Sequence, residues 1–140
     1  SYVSLSDYGC GQTRAIACCQ TPRRKTFRGF TPASFNGNLG GRVGAHAQCA
    51  SSFPNSHFCD ENEYTRSTSG TAVPAAGAWV DNWDDTQPGA RTTSYTCNRW
   101  TTGTTSHEGT TLRTDGAFST SYVSLSDYGC GQLRPIACCE

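Results

Sequence analysis

The residues best suited to chemistry in this chain are nine cysteines among 140 residues. Thiols in that number either oxidise to disulfides or bind a metal such as zinc. Structural zinc sites use pairs of CxxC knuckles, whereas this chain carries its closest cysteines as the adjacent pairs Cys18-Cys19 and Cys138-Cys139. The spacing therefore favours disulfides, which persist outside the reducing cytosol. It predicts an extracellular or cell-surface protein.

Three of the cysteines belong to a segment that occurs twice. Residues 1–20 read SYVSLSDYGCGQTRAIACCQ, and we call them the N-terminal copy; residues 121–140 read SYVSLSDYGCGQLRPIACCE, and we call them the closing segment. The two differ in three places: Thr13 against Leu133, Ala15 against Pro135 and Gln20 against Glu140. The pattern of each predicts two strands around a loop. Because side chains alternate along a strand, adjacent cysteines can join the segment to two different elements.

Six cysteines remain when the N-terminal copy is left out, three of them in the closing segment. They are Cys49, Cys59, Cys97, Cys130, Cys138 and Cys139. Six cysteines make three bridges, and the sequence alone allows fifteen pairings. A direct bridge between the adjacent Cys138 and Cys139 needs strained geometry, so we expect these two to reach separate partners.

The cysteines of the N-terminal copy, Cys10, Cys18 and Cys19, have no second set of partners within the chain. Two explanations predict a string of domains. Either the chain is cut from a tandem array, so that residues 1–20 close a preceding unit, or chains exchange the segment and become linked covalently. A third explanation is a disordered tail with free or scrambled thiols, which an oxidising environment disfavours. We expect inter-unit disulfides, with neighbouring identical or homologous units as the partners.

The elements that position these cysteines are predicted to be short. Residues 21–28, TPRRKTFR, are expected to form a basic linker, and residues 29–140 one domain. Helical spacing over Arg42–Phe53 predicts a helix with Cys49 facing inward, and Asp60 with Glu63 is typical of a helix start. The predicted strands are Phe27–Phe30, Ala78–Val80 and Thr92–Trp100, the last carrying Cys97.

Three blocks of the chain resemble endostatin, a collagen-derived domain with a C-type-lectin-like fold, and secreted bacterial domains of the same group. They are Asn38–Cys49 (NLGGRVGAHAQC), Thr93–Trp100 (TSYTCNRW) and the end from Cys130 to Cys138. The similarity covers most of residues 27–140. It implies an α+β, C-type-lectin-like domain with a mixed sheet, one or two short helices and three disulfides.

The resemblance also implies a disulfide pattern. In that family an outer bridge joins the first helix to the last strand, and an inner bridge lies within the loop region. Carried over, these bridges are Cys49–Cys138 and Cys97–Cys130. Cys59 and Cys139, the additional pair here, would then join each other.

Polar and aromatic residues in the second half of the chain form the candidate ligand site. They are Asp81, Asn82, Trp83, Asp84, Asp85, Trp100, His107 and Glu108. Carboxylates suit calcium and tryptophan rings stack on sugars, so these residues predict a small metal or glycan site. The alternative interpretations are a solvated strand end for the acidic run and packing against a disulfide for Trp100.

The triplets through which calcium-dependent lectins bind sugar are replaced here by Gln87-Pro88-Gly89 and by Asn82-Trp83-Asp84 in a different order. Calcium-mediated sugar binding is therefore not expected from the resemblance. We predict no resident metal or cofactor, with calcium as the one candidate ion.

The remaining composition bounds the function. His46, His57 and His107 lie far apart and in no catalytic motif, so we predict no enzyme. Eleven basic and eleven acidic residues balance, which argues against bulk binding to nucleic acid or an anionic membrane. The sequence predicts a non-catalytic extracellular module, the repeating unit of a filament or tandem-domain surface protein. The alternative is a discrete glycan-binding lectin or adhesin that uses residues 81–91 and 100–111.

Overall fold

The structure, a computed structural model, describes residues 13, 15–16, 27–67, 70–82, 95–119 and 129–140. Across these residues the chain forms an α+β domain of short elements. The helices are α1 (Gly41–Ser52), α2 (Glu61–Arg66) and α3 (Cys97–Trp100). The strands are β1 (Phe27–Phe30), β2 (His57–Phe58), β3 (Ala78–Trp79), β4 (Thr111–Leu112), β5 (Phe118–Ser119) and β6 (Ala137–Cys139).

The described strands form two three-stranded antiparallel sheets, ordered β1-β6-β2 and β3-β4-β5. Isolated parallel bridges join Trp79 to Ile136 and Asp60 to Asp81. The resemblance implied one mixed sheet and one or two helices. The described part of the chain has three short helices and two antiparallel sheets, which is compatible with that α+β class, and the parallel contacts among its described residues are single bridges.

Helix α1 forms where small residues allow close packing. Gly40 precedes it with φ 76°, a left-handed conformation that glycine adopts without a Cβ clash. Ala45 and Cys49 lie one turn apart and are both buried, so this face of the helix points into the core. The helix ends at Phe53, whose backbone N–H donates to the carbonyl of Cys49 at 2.8 Å, immediately before Pro54.

Helix α2 begins as its sequence predicts. The side chain of Asp60 accepts a hydrogen bond from the backbone N–H of Glu63 at 2.7 Å, which satisfies one of the amides that lack a partner inside the helix. Asp60 is the N-cap, and acidic Glu61 and Glu63 lie in the first turn. Negative charge there is favourable beside the positive end of the helix dipole.

The strand predicted over Thr92–Trp100 is wrong at its described end. Helix α3, Cys97 to Trp100, is a single turn whose φ values of 51° to 63° make it left-handed. In a strand, residues three apart point to opposite faces, whereas this turn buries both Cys97 and Trp100. The side chain of Thr96 accepts from the N–H of Arg99 at 3.2 Å and closes the turn.

Candidate functional site: the closing segment and its slot

Strand β6 of the closing segment occupies the centre of its sheet. It pairs with β1 on one side, where Cys139 lies opposite Phe27, and with β2 on the other, where Cys138 lies opposite Phe58. Its three residues, Ala137, Cys138 and Cys139, are completely buried. We call the position between β1 and β2 the slot. The slot makes the last strand of the chain an internal part of the domain.

Three disulfides fix the closing segment to three different parts of the domain. They are Cys49–Cys138 to helix α1, Cys59–Cys139 to the residue after β2, and Cys97–Cys130 to helix α3. Their Cα atoms lie 5.0–5.7 Å apart, a usual separation for disulfides. These are the three pairs implied by the resemblance.

The adjacent cysteines serve opposite faces of the sheet. Cys138 lies in one apolar cluster with Cys49, Trp79 and Trp100. Cys139 lies in a second cluster, with Cys59 on the same side. One strand therefore carries one sulfur bridge into each of the two clusters, as the alternation of side chains requires.

Backbone hydrogen bonds continue the attachment upstream of β6. Phe35 and Arg134 exchange both of their backbone bonds, at 2.8 and 2.9 Å, and the N–H of Trp79 donates to the carbonyl of Pro135 at 2.9 Å. The N–H of Ile136 donates to the Thr31 hydroxyl at 2.9 Å. These bonds depend on the backbone of the closing segment, so they would form with any sequence of similar shape.

Gly37 is required where the inner bridge meets the chain. Its N–H donates to the carbonyl of Cys130 at 2.7 Å. A Cβ at this position would lie 2.7 Å from the Cβ of Cys97 and 2.8 Å from that of Cys130. Such contacts are shorter than real Cβ atoms show, so only glycine lets the backbone approach the Cys97–Cys130 disulfide.

The described residues of the N-terminal copy lie outside the core. Ile16 is 86% exposed, whereas Ile136, its counterpart in the closing segment, is completely buried. Thr13 and Ala15 are exposed as well. Cys10, Cys18 and Cys19, predicted to make inter-unit disulfides, lie outside the described residues, as does nearly all of the predicted linker.

Asp81 is a buried residue of the core. Its side chain is 1% exposed and accepts hydrogen bonds from Arg42 Nε at 2.6 Å, Arg42 Nη2 at 3.0 Å and the Trp100 indole N–H at 2.8 Å. The interpretation of the acidic run as a solvated strand end is therefore wrong for Asp81. Its carboxylate already has charged and polar partners, which is how buried charges are accommodated.

Trp100, predicted as a residue that stacks on sugars, has no exposed ring face. Its ring packs edge-on against Phe58 at 5.0 Å and against Trp79 at 5.7 Å. It belongs to the cluster that contains Cys97 and Cys130. The alternative interpretation, a tryptophan packed beside a disulfide, describes its position.

The other candidate ligand residues are not brought to one site. Glu108 is buried, and that burial raises the pKa of its carboxyl. The Nδ1 atom of His107 lies 3.1 Å from the Thr104 hydroxyl, and Asn82 is half-buried. Trp83, Asp84 and Asp85 lie outside the described residues. In the part of the chain that is described, no three His, Cys, Asp or Glu side chains are arranged to hold a metal ion.

A histidine cluster that the sequence did not predict joins α1, β2 and α2. His57 Nε2 lies 2.6 Å from Glu63 Oε2, and His46 Nδ1 accepts a hydrogen bond from the backbone N–H of Phe58 at 3.0 Å. The two imidazole rings are 6.0 Å apart. Burial, followed by the neighbouring His57, lowers the pKa of His46. The sequence feature that could have predicted this cluster is the short Pro54-Asn55 turn, which returns the chain from α1 to β2.

Comparison of the chain with protein-family models, with curated proteins and with solved structures finds no match. The described residues also contain no helix long and apolar enough to cross a bilayer.

Proposed function

We propose that this protein is a non-catalytic extracellular structural module, the repeating unit of a linear assembly whose units are joined through the duplicated segment. The observation that carries the proposal is the position of β6. The closing segment places this strand at the centre of a sheet and is bridged by sulfur to three elements, so it completes the domain. A second copy of that strand in the same chain can complete a second domain in the same way.

The N-terminal copy keeps the features that the slot requires. Cys18 and Cys19 are spaced like Cys138 and Cys139, and Ile16 matches the buried Ile136. Two of the three differing residues, Leu133 and Glu140, are exposed in the closing segment. The copies therefore differ mainly at residues that the slot leaves exposed. A neighbouring domain of this type can accept residues 1–20 once its own closing segment has left the slot.

An extracellular location suits this chemistry. Three disulfides tie together a domain whose chain is only 35% hydrophobic, and disulfides are retained outside the cytosol. Cross-links of this kind are typical of secreted domains with small cores.

Non-reducing electrophoresis tests the assembly. We expect the oxidised chain to run as a ladder of multiples of 15.0 kDa that a reductant collapses to one band. Oxidising equal amounts of unlabelled and ¹⁵N-labelled chains together adds a second measurement. We expect disulfide-linked peptides that join Cys10, Cys18 or Cys19 of one isotope to Cys97, Cys49 or Cys59 of the other.

The matched control replaces Cys10, Cys18 and Cys19 together by serine in the full chain. This variant keeps all six cysteines of the closed domain, so it should run as a single 15.0 kDa band with three intact bridges. A wild-type chain that runs as the same single band, with no peptide joining the two isotopes, would contradict the assembly.

A further inference from the structure

The slot lies next to the strand that follows the N-terminal copy along the chain. Strand β1 is antiparallel to β6, with Phe27 opposite Cys139. In the N-terminal copy, Cys19 is the counterpart of Cys139, and only residues 20–26 separate it from Phe27. Opposite residues of an antiparallel pair are about 5 Å apart, a distance that seven residues of chain span easily.

We infer that the N-terminal copy also fits the slot of its own chain, so that one domain has two interchangeable closing strands. In that arrangement residues 17–19 and β1 form a β-hairpin. Consecutive antiparallel strands usually pair in this way. Cys18 would then pair with Cys49, Cys19 with Cys59 and Cys10 with Cys97. This inference deepens the proposed function, because each chain has one slot for two copies. A copy that is not bound in its own chain can then link to a neighbouring unit only where that unit's slot has been vacated.

The contacts made by the closing segment support this interchange. Backbone atoms make most of its bonds to Thr31, Phe35 and Trp79, and these atoms exist in both copies. The cysteines, Ile136 and Arg134 are matched by identical residues, among them Ile16 and Arg14. Arg134 lies over the Trp79 ring, 5.4 Å from its centre, and Arg14 can supply the same guanidinium.

The three residues that differ between the copies determine how the stabilities of the two arrangements compare. The exposed ion pair of Arg28 with Glu140, at 2.8 Å, is lost when Gln20 replaces the carboxylate. Exposed ion pairs contribute little to stability. Leu133 is exposed, so Thr13 can take its place. The buried Pro135, replaced by Ala15, is the one difference inside the domain, and its carbonyl bond to Trp79 does not need proline.

Thiol–disulfide exchange lets one copy replace the other without an oxidant. The thiolate of Cys18 attacks the Cys49–Cys138 bond at the Cys49 sulfur, so the Cys18–Cys49 bond forms and Cys138 leaves as a thiolate. One disulfide is present before and after, and no net electrons are transferred. The same exchange applies to the other two pairs, and the released closing segment carries three thiols.

Disulfide mapping of the wild-type chain, refolded in dilute solution in a glutathione redox buffer, tests the inference. Unlabelled and ¹⁵N-labelled chains are mixed before refolding, so that bridges within a chain join peptides of one isotope only. The copies give peptides of different mass because Thr13, Ala15 and Gln20 are replaced in the closing segment. We expect same-isotope Cys18–Cys49 and Cys19–Cys59 links, with an abundance within about tenfold of the Cys49–Cys138 link, because the copies make nearly the same contacts.

A full-chain variant sharpens the result. Replacing Cys130, Cys138 and Cys139 by serine leaves the N-terminal copy as the only source of closing sulfur, and we expect a monomer with three same-chain bridges. If links from Cys18 and Cys19 join the two isotopes only, the inference is overturned and the assembly stands. If the wild-type chain shows neither kind of link, the inference and the proposed function both fail.

Discussion

At the scale of single residues, the ion pair of Asp81 and Arg42 links helix α1 to the end of β3. The guanidinium binds both carboxylate oxygens, and the Trp100 indole donates to one of them. A buried charge is tolerated only with such partners, and removal of one partner leaves the other uncompensated. The acidic run therefore contributes a structural carboxylate to the core.

We predict that Asp81→Asn lowers the free energy of unfolding by about 3 kcal/mol, since the amide removes the negative charge that pairs with the Arg42 guanidinium inside the core. Urea unfolding of the oxidised protein measures this. The matched control is Glu140→Gln, which removes the carboxylate of an exposed arginine pair and should change the free energy by less than about 1 kcal/mol. Equal effects of the two substitutions would contradict the structural role of Asp81.

A second prediction concerns His46, whose Nδ1 accepts the Phe58 N–H and therefore must be unprotonated. Burial lowers its pKa below the ordinary value of 6.5, and the facing groups are His57, Asp81, Glu63 and Arg42. Between the lowered pKa and 6.5 the unfolded chain binds more protons. The stability contributed by neutral His46 is thus fully present above pH 6.5 and is lost as the pH falls through the lowered pKa.

His46→Gln should therefore flatten the fall in the free energy of unfolding between pH 7 and pH 5. Comparison with wild type is needed because burial raises the pKa values of Glu61 and Glu108. Their protonation in the folded state raises the free energy of unfolding as the pH falls. His107→Gln is the control, since the hydrogen bonds described for its ring join it to the hydroxyls of Thr104 and Ser106 in its own loop. A slope for His46→Gln that matches wild type would exclude the contribution of His46.

At the scale of elements, the sequence predicts best those elements that local chemistry specifies. The strand Phe27–Phe30 and the Asp60 cap are confirmed, and the predicted helix over Arg42–Phe53 forms as Gly41–Ser52. The turn Cys97–Trp100 is different, because its alternating sequence favours a strand while the core requires Cys97 and Trp100 on the same side. That requirement comes from Cys130 and Phe58, which are distant in sequence.

For the candidate site too, the sequence predicted what depends on local pattern and missed what depends on distant contacts. Alternation along a strand placed Cys138 and Cys139 on opposite faces, and the structure has them there. The burial of Asp81 could not be predicted, since its partners Arg42 and Trp100 lie 39 and 19 residues away. Contacts of that range depend on the fold as a whole.

The close approach of residues 36–38 to the inner disulfide leads to a third prediction. Gly37→Ala should lower the free energy of unfolding by about 1–3 kcal/mol, because the new methyl group overlaps the Cys97–Cys130 bridge. Gly70→Ala is the matched control, since its added Cβ meets nothing within 4 Å among the described residues. Urea midpoints of the two variants are measured side by side. Equal midpoints would contradict the close approach of Gly37 to the disulfide.

At the scale of the whole molecule, the disulfides contribute stability that a larger hydrophobic core would otherwise provide. The sequence separations closed by the bridges are 89, 80 and 33 residues. On the chain-entropy model, loops of this length stabilise by about 3–5 kcal/mol each. Their sum is comparable with the total stability of an ordinary domain, about 5–15 kcal/mol.

We therefore predict that dithiothreitol unfolds the domain at 25 °C and neutral pH. The buried rings of Trp79 and Trp100 pack edge-to-face at 5.7 Å, so near-ultraviolet circular dichroism reports their fixed surroundings. This signal should disappear on reduction and return after oxidative refolding. A signal that persists after all cysteines are shown to be reduced would mean that the apolar clusters suffice alone, and that the sulfur bridges to β6 are dispensable.

EDTA is the matched treatment, because it separates stabilisation by sulfur from stabilisation by calcium. The carboxylate of Asp81 is paired with Arg42, and no three His, Cys, Asp or Glu side chains among the described residues are arranged to hold a metal ion. We expect the same signal with and without EDTA, and the same urea midpoint. A fall in the midpoint that added calcium reverses would instead show that a bound ion stabilises the domain in addition to its disulfides.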